Sequence, residues 1–340
     1  MAQTSRLQRM SLCLMPAIFA VYLPMCTPRV TPAQRPWETP MAQLWEKPVD
    51  LETRDLYHGP WGAERAPAPD AIYTFAAAKQ HGTNPGVTVT DPAGREWSVK
   101  QAPHNDQGAE GPVEVVLSRI LSAVGYHQPP VYFLPSFTMT DTAGTHTEPG
   151  GRFRLKTGML AKRGEWSWQQ NPFVGTRPYQ GLLVILALLD SSDLKNVNNT
   201  LYELKAPGEP PRVWYVVRDL GTALGETGRL TPRRNDPDLF EHKRFINGVR
   251  DGYVEFHYHG WHQELLRRRI TPEEVHWASD LLAGLSYGQW QDAFRAGGYA
   301  PDEAERFIRR ILTKVAEGER LERIVAPPPL RAASASPRSK

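Results

Sequence analysis

Asp193-Leu194-Lys195-Asn196-Val197-Asn198, followed at a distance by Asp219-Leu220-Gly221, decides how this chain is read. The two stretches hold two carboxylates and an amide. Carboxylate and amide oxygens are hard donors, the kind that magnesium takes in small number from protein while phosphate and water supply the rest. What surrounds the stretches brings them together. Tyr179 to Leu189 is apolar on every side and reads as a buried helix, too short to cross a bilayer. It runs directly into Asp190-Ser191-Ser192-Asp193, so the first acids emerge where a core element ends. Leu201-Tyr202-Glu203-Leu204 and Val213-Trp214-Tyr215-Val216-Val217 form a hairpin around Pro207-Gly208-Glu209-Pro210-Pro211, which returns Asp219 to the side of Asn198.

Toward the N-terminus the pattern is extended. Val87-Thr88-Val89-Thr90 is a β-branched strand, Asp91-Pro92-Ala93-Gly94 a turn, and Glu96-Trp97-Ser98-Val99-Lys100 the returning strand, which puts Lys100 on a strand leaving a hairpin. Val113, Val116, Leu117, Ile120, Leu121 and Val124 share one helical face, with Pro112 in the first turn and Gly125 as the stop. Glu114 lies in that first turn beside the apolar stripe, and Glu110 precedes it as a substitute. Val131 to Leu134 and Phe153 to Lys156 read as further strands separated by a polar loop, and the Trp166/Trp168 pair as core. The C-terminal part reads as mostly helical, with an N-cap at Thr271-Pro272-Glu273-Glu274 and amphipathic helices over 286–296 and 301–317.

A net charge of +3 over 340 residues gives no electrostatic footprint for nucleic acid. Arg6 and Arg9 precede an apolar run from Met10 to Met25 that ends at Cys26, the layout of a secretory signal peptide with a poor match to a lipoprotein processing site. The chain is therefore expected to be exported, as a periplasmic, membrane-attached or extracellular protein, with a lipid anchor at Cys26 as one option. Cys13 and Cys26 are the two cysteines, so a processed chain has no disulfide and no thiol chemistry. The expected organisation is a leader over 1–26, a Pro-rich linker or surface wrap over 27–69, a β-rich part over 70–160, a helical part over 161–322 and a disordered tail over 323–340.

The order Lys100, Glu114, Asp193 with Asn198, then Asp219 resembles the protein-kinase-like superfamily, in particular its atypical HipA-like, CotH-like and secreted branches. The resemblance spans residues 70–320, although its specific motifs fill few positions. It implies an α+β fold of two lobes, a small β-rich N-lobe and a mainly helical C-lobe, with ATP and Mg²⁺ or Mn²⁺ between them. It implies that Lys100 clamps phosphate and is held by Glu114, that Asp193 acts on a hydroxyl acceptor with Lys195 reaching the γ-phosphate, and that Asn198 and Asp219 bind the metal. The chain departs from the pattern in three places. No Gly-x-Gly-x-x-Gly precedes Lys100, where Gly82-Thr83-Asn84-Pro85-Gly86 is the nearest counterpart. Ser191-Ser192 stands where His-Arg is usual, and no Ala-Pro-Glu follows Asp219. The acceptor, protein or small molecule, is thus not legible. A pseudokinase serving as an envelope binding module and a nucleotidyl transferase are the alternatives. His257, His259 and His262, near His242, have no acid or cysteine at a metal-site spacing and read as packing residues.

Overall fold

The computed structural model describes residues 40–79, 84–102, 109–205, 208–230 and 232–321. The leader over 1–26, residues 27–39 of the linker, the tail over 323–340 and two residues of the glycine-containing stretch, Gly82 and Thr83, lie outside them.

Five strands near the N-terminus close into a barrel: β1 (Ile72–Ala78), β2 (Gly86–Thr90), β3 (Glu96–Gln101), β4 (Val131–Asp141) and β5 (Gly144–Lys156), in the order β1-β2-β3-β5-β4. The ring closes by a parallel pairing of β1 with β4; the other neighbours are antiparallel. The β2–β3 turn follows from its residues. Asp91 Oδ1 accepts the N–H groups of Ala93 and Arg95 at 3.0 and 2.8 Å, and Gly94 takes the left-handed φ of +78°. Side chains alternate along a strand. Trp97 and Val99 therefore point into the barrel core with Tyr73, Phe137 and Phe153, and Lys100 points to the opposite face. Residues 135–152 correct the sequence reading. They are not a polar loop but the far halves of β4 and β5, a long hairpin with its tight turn at Asp141–Gly144.

Helix α1 (Glu110–Ala123) connects β3 to β4. Its apolar stripe, Val113, Val116, Leu117, Ile120 and Leu121, belongs to a second and larger core, that of the C-terminal region. There α2 (Arg177–Leu188) is buried from Tyr179 onward, as its unbroken apolar sequence requires. Against it pack α4 (Pro272–Ala283) and α6 (Pro301–Glu319), and α3 (Pro237–His242) and α5 (Tyr287–Ala296) pack on α6. Thr271 with Glu274, and Ser286 with Gln289, form capping boxes that start α4 and α5. A three-stranded sheet of β6 (Leu160–Gly164), β7 (Asn199–Leu204) and β8 (Arg212–Val217) contains the expected hairpin. A second hairpin, β9 (Ile246–Arg250) and β10 (Tyr253–Phe256), sits in a part read from sequence as mostly helical. Its Asp251-Gly252 turn has φ of +53° and +81°, the conformation that selects those residues. The result is a mixed α+β structure, β-rich toward the N-terminus and helical toward the C-terminus.

Residues 40–65 lie against the end of α1. Leu44 and Leu56 are buried, Trp45 donates to Val124 O at 2.7 Å, and Arg54 Nη1 donates to Ser122 O and Ala123 O at 2.9 Å each. These donors satisfy carbonyls that a helix C-terminus leaves open.

Candidate active site

Lys100 leaves the barrel on the face turned toward α1 and is nearly enclosed. Its ammonium meets three carboxylates: Glu110 at 3.0 Å, Glu114 at 3.2 Å and Asp219 at 3.0 Å. The ammonium donates hydrogen bonds to Glu110 and Asp219, whereas Glu114 is held by charge alone. Glu110 and Glu114 are one helical turn apart and present one face to the lysine. The expected Lys100–Glu114 pair is therefore present, and Glu110 joins it as a second partner rather than a substitute. Each glutamate has a cation of its own. Arg152 Nε lies 3.1 Å from Glu114, and Arg234 pairs with Glu110. Asn84, in the segment between β1 and β2, donates to Glu110 as well.

The electrostatics follow from this crowding. Burial acts to lower the Lys100 pKa, but Glu114, Asp219 and Glu110 outweigh it and hold the lysine charged beyond its ordinary range. Burial acts to raise Glu114, but Arg152 and Lys100 bring it down to about 2. Asp219 is also opposed by burial and is held well below the usual carboxylate range by Lys100 and Arg218. Its side chain keeps 37 % of its surface exposed, against 10 % for Glu110 and 5 % for Glu114. Of the three carboxylates it is the one that solvent reaches.

The segment after α2 runs beside the segment after β8. Ser192 N donates to Thr222 O at 3.0 Å, Leu224 N to Leu189 O at 3.0 Å, and Arg218 N to Asn198 O at 3.1 Å. These bonds bracket Asp193–Asn198 on one strand of chain and Asp219–Gly221 on the other. Asp190 anchors the start: it is buried, adopts a left-handed φ of +53°, and meets Lys314 of α6 at 2.9 Å. Asp193 is held from both sides. Asn198 Nδ2 donates to its backbone oxygen at 2.8 Å and to Oδ2 at 3.1 Å, while Lys195 Nζ is 2.8 Å from Oδ1. Lys195 also lies over the Trp261 ring at 5.0 Å. Asp219 has φ of +52°, a conformation that Asp tolerates better than most residues. Gly221 lets this turn approach α1, since a Cβ there would come within 2.5 Å of the Glu110 Cβ.

Two protein oxygens suit a hard divalent cation that completes its shell with phosphate and water. Asn198 spends its nitrogen on Asp193, which turns its oxygen away from that bond, and the Asp219 carboxylate is accessible. The donor set therefore fits magnesium or manganese. Among the described residues no group of three His, Cys, Asp or Glu side chains forms a metal site on its own. His257 and His259 pack ring to ring at 5.3 Å, and His262 pairs with Glu264.

Three neighbours of the site escaped the sequence reading. Arg152 was legible in principle: with Phe153 in the barrel core, Arg152 and Arg154 must face the other way. Burial, together with Arg152 and Arg218, lowers Arg154 to about 10, so the region beside Lys100 is crowded with positive charge. Arg234 is far from Glu110 in sequence, and no local pattern marks it.

No protein-family model matches the chain, and no curated protein matches it in sequence. Among solved structures it is similar to the Helicobacter pylori proinflammatory kinase CtkA, at 9 % identity and a TM-score of 0.43, over 76 % of this chain and 100 % of that one. It is also similar to the Golgi casein kinase, at 11 % identity and a TM-score of 0.36, over 76 % of this chain and 73 % of that one.

Proposed function

We propose that this chain is a kinase-like phosphotransferase that uses ATP and a divalent metal ion to phosphorylate a hydroxyl acceptor. One observation carries the reading: the Lys100 ammonium, buried and charged, joins a barrel strand, helix α1 and the Asp219 turn in one cluster. Structural lysines seldom need three carboxylates, whereas a lysine that receives phosphate must be kept charged and fixed before the ligand arrives. The barrel and the helical region then act as two lobes with the nucleotide between them.

In this reading Lys100 neutralises phosphate charge. It can do so only when one of its three partners yields. Asp219 is that partner, because it is the most exposed and because Glu110 and Glu114 are each tied to an arginine as well. Asn198 and Asp219 would hold the cation, which offsets phosphate charge when bound. Asp193, fixed by Asn198 and Lys195, orients the acceptor hydroxyl and takes its proton. Arg6, Arg9 and the apolar run to Met25 support an exported protein, and release of residues 1–26 on secretion would test that part.

The test is thermal unfolding of the full chain with and without millimolar ATP and Mg²⁺ or Mn²⁺, beside Asp219→Ala. A ligand at about a hundred times its dissociation constant adds about 2.7 kcal/mol. The expected result is a metal-dependent rise that the variant lacks. One observation favours a second reading, a pseudokinase binding module: Lys100 is already satisfied by protein groups. A folded sample that gives no shift with either metal selects that reading.

A further inference from the structure

A cavity of about 520 Å³ lies at the opposite end of α1 from Glu110, lined by the helix's last turns, residues 46–61 and the β8 side chains Arg212 and Trp214. None of Lys100, Asp193, Asn198 or Asp219 lines it. Its volume is in the range of small-molecule sites, and Leu56, Trp61, Met159 and Trp214 give it an apolar wall.

Arg119 reaches this cavity from α1 and is only 2 % exposed. Its Nε donates to Tyr57 O at 3.3 Å, and its guanidinium lies over the Tyr132 ring at 5.2 Å. Among the described residues it forms no ion pair and its Nη groups make no hydrogen bond. The Nη groups are not sealed off but keep a little surface toward the cavity, and only the Tyr132 ring and the longer-range field of Asp55 compensate the charge, so the guanidinium lacks a directly bonded anion. Burial correspondingly lowers its pKa to about 10. The cavity has acids, but they are engaged elsewhere. Asp50 pairs with Arg54 at 3.2 Å and Glu46 with Arg212 at 3.5 Å, and Asp55 accepts the N–H groups of Tyr57 and His58 and faces the His58 ring at 2.8 Å. The chain also makes room for the guanidinium. Gly59 has φ of +75°, and a Cβ there would lie 2.7 Å from Arg119 Nη1.

We propose that this cavity binds a small organic anion, with its carboxylate or phosphate on Arg119 and its apolar body against Trp61 and Trp214. The inference is independent of the phosphotransferase reading, since it uses none of those residues.

The test is calorimetric titration of the full chain with benzoate and with phenylphosphate, beside their neutral counterparts benzamide and phenol. The two anionic arms separate a carboxylate ligand from a phosphate ester. A charge-assisted hydrogen bond gives at least about a tenfold preference for one anion over its neutral counterpart. Arg119→Met should lose that preference while still binding the neutral compound. Arg119→Gln keeps a polar end but no charge and should lose it too, which keeps the test decisive if Arg119→Met does not fold. Equal binding of anion and neutral compound overturns the proposal. So does no binding by any of the four at millimolar concentration, or a preference that survives both substitutions.

Discussion

Replacing Lys100 with Met should destabilise the protein by about 3 kcal/mol at neutral pH, and the deficit should shrink in acid. Methionine roughly fills the space but carries no charge, so three carboxylates lose a shared partner. Glu114 keeps Arg152 and Glu110 keeps Arg234, whereas Asp219 is left with the longer-range fields of Arg218 and Arg152. The magnitude can be built from Glu114. A carboxyl held at about 2 rather than the ordinary 4.5 contributes about 3 kcal/mol at neutral pH. Arg152 acts on Glu114 more strongly than Lys100 does, so the lysine accounts for only part of it. The remainder comes from Glu110, from Asp219 at a discount for its exposure, and from repulsion among the three acids. The sign of the pH dependence follows. Glu114 and Asp219 have folded pKa values below their unfolded ones, so their contribution is complete above about pH 4.5 and is lost as pH falls toward about 2. The variant has less of this contribution to lose. Urea midpoints of both proteins at pH 7 and near pH 3.5 would show a gap that narrows in acid. A gap under about 1 kcal/mol at pH 7, or one unchanged by pH, would refute the account of the cluster.

Two further outcomes follow from the packing. Gly221→Ala puts a Cβ against Glu110 and should cost roughly 1–3 kcal/mol by urea unfolding, while weakening any stabilisation by ATP and metal; a variant as stable as the parent would mean that the turn has room. Lys314→Met leaves Asp190 and Leu188 O buried without their donor and should cost about 3–5 kcal/mol. Adding Asp190→Asn, which removes the stranded charge and suits the left-handed φ of +53°, should recover part of that loss; strictly additive costs in the double-mutant cycle would show that the pair is not coupled.

How far the site could be read from sequence depended on range. Asp193, Asn198 and Asp219 were legible because a buried helix, a short loop and a hairpin fix their relation through neighbours in the chain. Lys100 was legible through its hairpin. The β9–β10 hairpin carries its own Asp-Gly signal but little alternation, so its sequence does not stand out from the helical region around it. The outer halves of β4 and β5 contain Pro135, Pro149 and two adjacent glycines, which mimic a loop, yet Ser136 to Thr147 pair in register across the strands. In each case backbone pairing overrode weak local preference.

Charge balance would have carried the reading further. The sequence suggests one lysine held by one glutamate, with Asp219 assigned to the metal; once Asp219 joins Lys100 as well, the buried set has an excess negative charge. A buried excess of that kind is costly and calls for a further cation. Treating Glu110 and Glu114 as one helical face raises the acids to three and the required cations to three. The structure supplies Lys100, Arg152 and Arg234 for Glu110, Glu114 and Asp219. Periodicity along β5 could have nominated Arg152. Nothing local could have nominated Arg234, which the fold brings to Glu110 across 124 positions. The balance also has a functional consequence. Lys100 itself is fully engaged by Glu110, Glu114 and Asp219, so phosphate gains Lys100 only as Asp219 leaves it. Under the phosphotransferase reading, nucleotide without metal should therefore bind poorly, because Asp219 would give up Lys100 with no cation to receive it.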